Sequence, residues 1–220
     1  MKKEFASLCF GILFSTVFSF PAVCAEKIYA GTDIDFDEKA SFYYEKQTQE
    51  PITGKVLYYN AQGNIIAETS FKNGQADGPS KTYHANGQLR AERNYQAGKP
   101  KGLWKFYHDN GQLASEEFYK DGKKLWKKEY YDNGQLKEEE FYKDGELDGL
   151  WKSYYPNGQL KKEGVYKDGD MDGLWKEYYD NGQLKAEEFC EAPSHDCLKK
   201  SYDDNGLIND VRIWSYGTLN

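Results

Sequence analysis

The stretch YYDNGQLKEEEFYKDGELDGLWKSYYPNGQLK, residues 130–161, states one pattern twice: Tyr-Tyr, a turn, Gln-Leu-Lys. Anchored on the turn glycine, the pattern recurs at Gly63, Gly87, Gly111, Gly134, Gly158, Gly182 and Gly206, with spacings of 24, 24, 23, 24, 24 and 24 residues. A fixed period of this length marks a stacked repeat, in which each unit buries its surface mainly against its neighbours. Seven units fill residues 54–214. Four residues before each glycine stands Tyr59, Tyr83, Tyr107, Tyr130, Tyr154, Tyr178 or Tyr202. Two after it stands a Leu or Ile. Five after it stands Glu68, Glu92, Glu116, Glu139, Glu163 or Glu187, until Val211 breaks the rule.

Each unit reads as strand, tight turn, strand, longer turn. Asn-Gly between alternating segments is a strong hairpin signal. Pro156 before Asn157-Gly158 and Gln62 beside Gly63 suit a type I turn with glycine in the left-handed position after it, so a three-residue loop is expected. Tyr154 then faces Leu160. If Tyr142 pairs with Asp148 across the longer turn, Leu136, Tyr154, Leu160, Tyr178 and Leu184 form one row. Glu139, Trp151, Glu163, Trp175 and Glu187 then form a second on the opposite face, and Phe141, Gly149, Val165, Gly173 and Phe189 a third. The expected fold is all-β: an open single-layer antiparallel array of hairpins, elongated and twisted. GTDIDFDEKASFYYEK (31–46) is expected to cap its start, with SFYYEK as first strand, and GLINDVRIWSY (206–216) to form its atypical end. The unit ending at Gly134 is one residue short, which shifts Trp126 onto the Tyr/Leu face.

At these columns the chain resembles the MORN-repeat-variant family, in particular its YwqK-like members, which carry an antitoxin label. The matching residues are DGLWKSYYPNGQLKKEGVYKDG (148–169), its copies, and PITGKVLYYNAQGNII (51–66). The resemblance implies a stack of β-hairpins and, more loosely, a toxin-neutralising role.

Residues 1–25 read as a secretory signal: a basic start in MKKEF, an apolar core, and PAVCA with Val23 and Ala25 at the peptidase positions. Val23 disfavours a lipoprotein anchored at Cys24. Residues 26–53 would be cap and first strand, 54–214 the repeats, and 215–220 a tail. Cleavage removes two lysines and one glutamate, taking the formal charge from −7 to −8. An acidic chain without a basic stripe argues against nucleic acid and against an anionic membrane. An exported monomer in the periplasm, on the outer surface or secreted is expected.

Candidate chemistry is sparse. Asp168, Asp170 and Asp172 open like a calcium loop, but Tyr179 stands where the bidentate Glu is needed. His84 and His108 share a strand-end column with Tyr131, Tyr155 and Tyr179, and His195 has no partner at metal-ligand spacing. No catalytic, cofactor or metal residue is assigned, and no enzyme is expected. Cys190 and Cys197 flank the one inter-unit loop lacking Asp-Gly, where a disulfide is expected. Trp104, Trp151 and Trp175 with Phe118, Phe141 and Phe189, flanked by Glu116, Glu163 and Glu187, form the candidate face for a protein or glycan partner. The plainer reading of these rings is that they shield glycines and stack on strand neighbours. A binding and scaffold module is therefore expected, with toxin neutralisation or lipid association as alternatives.

Overall fold

The computed structural model describes residues 26–191 and 196–214. Residues 1–25, read above as a signal, His195 and residues 215–220 lie outside the described residues. The strands are β1 (Ile28–Ala30), β2 (Ile34–Asp37), β3 (Phe42–Glu45), β4 (Gly54–Tyr59), β5 (Ile65–Lys72), β6 (Gln75–Tyr83), β7 (Leu89–Gln96), β8 (Lys99–Pro100), β9 (Gly102–Tyr107) and β10 (Leu113–Lys120). They continue as β11 (Lys123–Tyr130), β12 (Leu136–Lys143), β13 (Glu146–Leu147), β14 (Gly149–Tyr154), β15 (Leu160–Lys167), β16 (Asp170–Tyr178), β17 (Leu184–Glu191), β18 (Asp196–Tyr202) and β19 (Ile208–Trp214). From β4 onward the strands pair antiparallel in chain order in one open sheet, with the two-residue β8 and β13 paired to β7 and β12, which also pair with β9 and β14.

The Asn-Gly loops have the expected form. The Gly158 N–H donates to the Tyr155 carbonyl, closing a type I turn, and Gly158 takes φ +85°. Tyr154 pairs with Leu160. The inter-unit turns correct the expected register. Asp144 and Gly145 both have positive φ, and Lys143 pairs directly with Glu146. This is a two-residue I′ turn, which Asp-Gly tolerates at low cost. The turn expected to be longer is therefore the shorter, and Tyr142 pairs with Leu147 rather than Asp148.

Two irregularities then realign the strands. One lies between the turn and β14, so that Glu139, not Glu138, faces Lys152. The other is a bulge after each Asn-Gly loop, such as that between Ser153 and Tyr154 against β15. One extra residue moves all that follows to the other face. Glu163 therefore faces Lys152, and Trp151 faces Gly164. The expected row joining Glu to Trp does not form.

Two differently composed faces result. The first carries the Tyr/Leu row and, beside it, an alternating ladder: Glu68, Lys81, Glu92, Lys105, Glu116, Lys128, Glu139, Lys152, Glu163, Lys176, Glu187, Lys200. The second carries the Trp column together with Tyr95, Tyr119 and Tyr166, whose strand partners are Gly78, Gly102 and Gly149. At these three positions a tyrosine is the strand partner of the glycine, whereas Phe71 pairs with Gly54, Phe141 approaches Gly149 from its other side and Gly173 pairs with Cys190.

The start of the sheet is closed differently from expectation. β1 runs parallel to β4, while SFYYEK contributes β3, which pairs with β2 in a separate two-stranded sheet. Tyr29, Ile34, Ile52, Val56 and Phe71 form a small buried core there, with Tyr43 packed against it. Val56 holds the Trp-column position of the first unit, so the cap covers the second face.

Candidate docking face

The ladder face is built from local rules. Within each first strand Leu150, Lys152 and Tyr154 alternate, so all three point the same way. Each Tyr hydroxyl reaches back to the Glu of the preceding unit: Tyr154 to Glu139 at 3.0 Å, Tyr178 to Glu163 at 3.0 Å and Tyr202 to Glu187 at 2.8 Å. Lysines approach the same carboxylates, as in Lys128–Glu139 at 2.9 Å and Lys152–Glu163 at 3.7 Å. Burial first, then the bond to Glu139, pushes the Tyr154 phenol up to about 12, and burial with the bond to Glu116 raises Tyr130 further. Burial opposes ionisation of Glu139, but Lys128 and Tyr154 outweigh it and hold the carboxyl below its ordinary value. Glutamates along this face are thus taken by lysine and tyrosine.

Outside the ladder runs an apolar row. Leu103 faces Phe118, Phe118 faces Trp126, and Trp126 faces Phe141. Leu150 faces Val165, and Leu174 faces Phe189, which faces Leu198. Trp126 lies on this face, as its displaced column predicts, stacked on Phe118 with centroids 5.8 Å apart. Little covers the row: Leu150 is 43% exposed, Val165 41%, Leu174 47% and Phe189 48%.

The tryptophans face the other way and are packed. Trp175 is 1% exposed, with Tyr166 at 4.9 Å and Trp151 at 5.5 Å between centroids. Its ring occupies the space above Gly164, where an added Cβ would stand 2.1 Å from Cδ2. Trp104 is buried between Tyr95 and Tyr119 and donates to the Asn94 carbonyl. The candidate set therefore divides. Phe118, Phe141, Phe189, Glu116, Glu163 and Glu187 share the ladder face, while Trp104, Trp151 and Trp175 do not. The sequence reading passed over the column Leu103, Leu150, Leu174, Leu198, which the bulge brings level with the phenylalanines.

His84 Nε2 lies 2.8 Å from the Tyr107 carbonyl, the counterpart of the bond from the Tyr155 hydroxyl to the Tyr178 carbonyl. His108 lies 3.3 Å from Asp132. Asp168 sits in an I′ turn, Asp170 faces Lys167 and Asp172 faces Val165. Among the described residues the group close enough to share an ion is Glu188, Cys190 and Cys197, and its two sulfurs are joined. The Cys190–Cys197 bridge spans directly paired positions of β17 and β18, Cα atoms 4.2 Å apart. Closing so short a loop should contribute about 2.5 kcal/mol. Reduction is therefore expected to loosen the C-terminal strands first, which amide exchange with and without reductant would show. Exchange unchanged by reductant would contradict it.

The family described as MORN repeat variant matches residues 52–73, 76–97, 100–121, 127–144, 147–168 and 171–189. No curated protein matches the chain. Similar solved structures include a crystal structure of TcdB2-TccC3-Cdc42, at 13% identity and TM-score 0.22, covering 85% of this chain and 14% of that one. Another is of TcdB2-TccC3-TEV, at 13% identity and TM-score 0.22, covering 78% and 12%. The chain thus spans less than one sixth of those chains, and a likeness at that TM-score carries no argument.

Proposed function

This chain belongs to the MORN repeat variant family, and we propose that it is an exported, non-enzymatic scaffold whose ladder face docks a protein partner. One observation carries the reading: a row of apolar side chains, interrupted where Asp172 faces Val165, stays exposed on a sheet whose other face is packed. Contiguous exposed apolar surface rimmed by polar groups marks interaction sites. Leu, Val and Phe suit apolar protein side chains. Of the tryptophans that would stack on a sugar, Trp104 and Trp175 are buried, and Trp151 is half-buried against Tyr166 and Trp175. Most of the ladder's charges are paired and the signs alternate, so it supplies a polar rim rather than a strong field. The disulfide supports an oxidising address. A toxin would be one such partner, and the identity of the captured protein decides that.

The test replaces Leu150 and Leu174 by serine in one variant. Both are nearly half exposed, so the thermal transition should move little while capture of the partner from the native host falls at least about tenfold. Undiminished capture would refute the docking face. A collapsed transition would show that the row is structural.

A further inference from the structure

The two ends of the sheet are finished differently. At the start, β1 runs alongside β4, and the β2–β3 hairpin packs beside it. At the other end, among the described residues, β19 has residue-by-residue partners on β18 alone, while β4 is paired on both sides by β1 and β5. An edge strand offers every second N–H and C=O to any strand that fits, and natural edges are commonly blunted by lysine or proline. Ile208-Asn209-Asp210-Val211-Arg212-Ile213-Trp214 contains neither. Its one irregularity lies near the Ile208 end, and from Asp210 onward its pairing is regular. Val211 and Ile213 are 54% and 80% exposed. The Lys/Glu alternation also ends here, with Lys200 facing Val211.

The strand is complementary to itself. Laid antiparallel against a second β19 about Val211, it sets Val211 against Val211. Asp210 then stands opposite Arg212, once on each side of the axis. Both charged side chains are accessible, at 41% and 73%, and within one strand they already meet at 2.6 Å. Directly opposed unlike charges favour a register, and like charges oppose it. We propose that two copies of this chain join through β19, continuing the sheet across a two-fold axis. The contact is isologous, since each copy presents the same strand. It replaces the expected monomer and gives a scaffold with two oppositely running docking faces. It rests on β19 alone, so it stands or falls independently of the docking-face proposal.

Sedimentation velocity of the full chain over a wide concentration range tests it, with three proteins compared. The wild type should dimerise. Arg212→Asp puts Asp210 against an aspartate on both sides of the axis, and should raise the dimer Kd at least about tenfold. The swap Asp210→Arg with Arg212→Asp restores opposed unlike charges and should restore dimerisation. An unchanged thermal transition in each variant certifies the fold. A wild type that stays monomeric overturns the proposal, as does a dimer indifferent to Arg212→Asp or a swap that fails to rescue. A β19 edge protected from exchange only on adding a different protein assigns the edge to that partner's strand and likewise overturns it.

Discussion

Replacing Trp175 by alanine should lower the unfolding free energy by about 3–5 kcal/mol, the range for deleting a fully buried large aromatic. The ring is 1% exposed, touches Tyr166 and Trp151, and has the Lys162 ammonium 4.9 Å from its centre. Gly164 is part of the same arrangement, because only a residue without Cβ leaves room for the ring. Gly164→Ala should therefore also destabilise, through overpacking. Trp175→Phe should cost much less than Trp175→Ala, since the indole Nε1 has no hydrogen-bond partner among the described residues and little beyond volume is lost. Denaturant titration followed by far-UV dichroism measures all three. A Trp175→Ala transition superimposable on wild type would mean that the tryptophans are a surface stripe and that the two faces have been assigned the wrong roles.

Stability should also fall steeply in alkali. Tyr83, Tyr107, Tyr130, Tyr154, Tyr178 and Tyr202 all have raised pKa values. Burial is the first cause except at Tyr202, where the bond to Glu187 leads. An ordinary phenol titrates near 10, so between that pH and the raised value the folded state holds more protons than the unfolded. The contribution is whole below about pH 10 and is lost as pH rises, through about 12 for Tyr154. Six hairpins lose it over the same range, and ionising any of these phenols also sets an anion against a glutamate. The thermal midpoint should drop sharply above about pH 10, and the tyrosinate absorbance should appear together with unfolding. Tyr154→Phe should flatten the drop. Phenols titrating freely near their ordinary value in the folded protein would contradict the Tyr–Glu bonds.

Period, hairpins, loop type and the disulfide were legible in the sequence because each rests on a local rule. Pro156 and Gln62 exclude a primed turn, the glycine count fixes the unit, and Cys190 and Cys197 bracket one loop. The column count also placed Trp126 correctly. Face assignment failed at Glu163. Its alternation with Leu160 reads as strict only if no residue is inserted, and Lys161 sits in a bulge that no residue type announces. That one residue put Glu with Trp on paper, whereas the structure sets it beside Tyr. The Asp144-Gly145 turn was read as longer than it is because the compensating irregularity before β14 restores nearly the same spacing. SFYYEK alternates like a sheet strand, but its partner is the nearby IDFD segment.

Partner contact is assigned to the Leu/Phe row and packing to the Trp face. Val165 and Ser153 test this assignment most directly, for they sit on neighbouring strands of one hairpin and point to opposite faces. A photo-cross-linking side chain placed at each in turn, in the native host, reports which face the partner touches. Adducts from position 165 and none from 153 are predicted, and adducts from 153 alone would contradict the account.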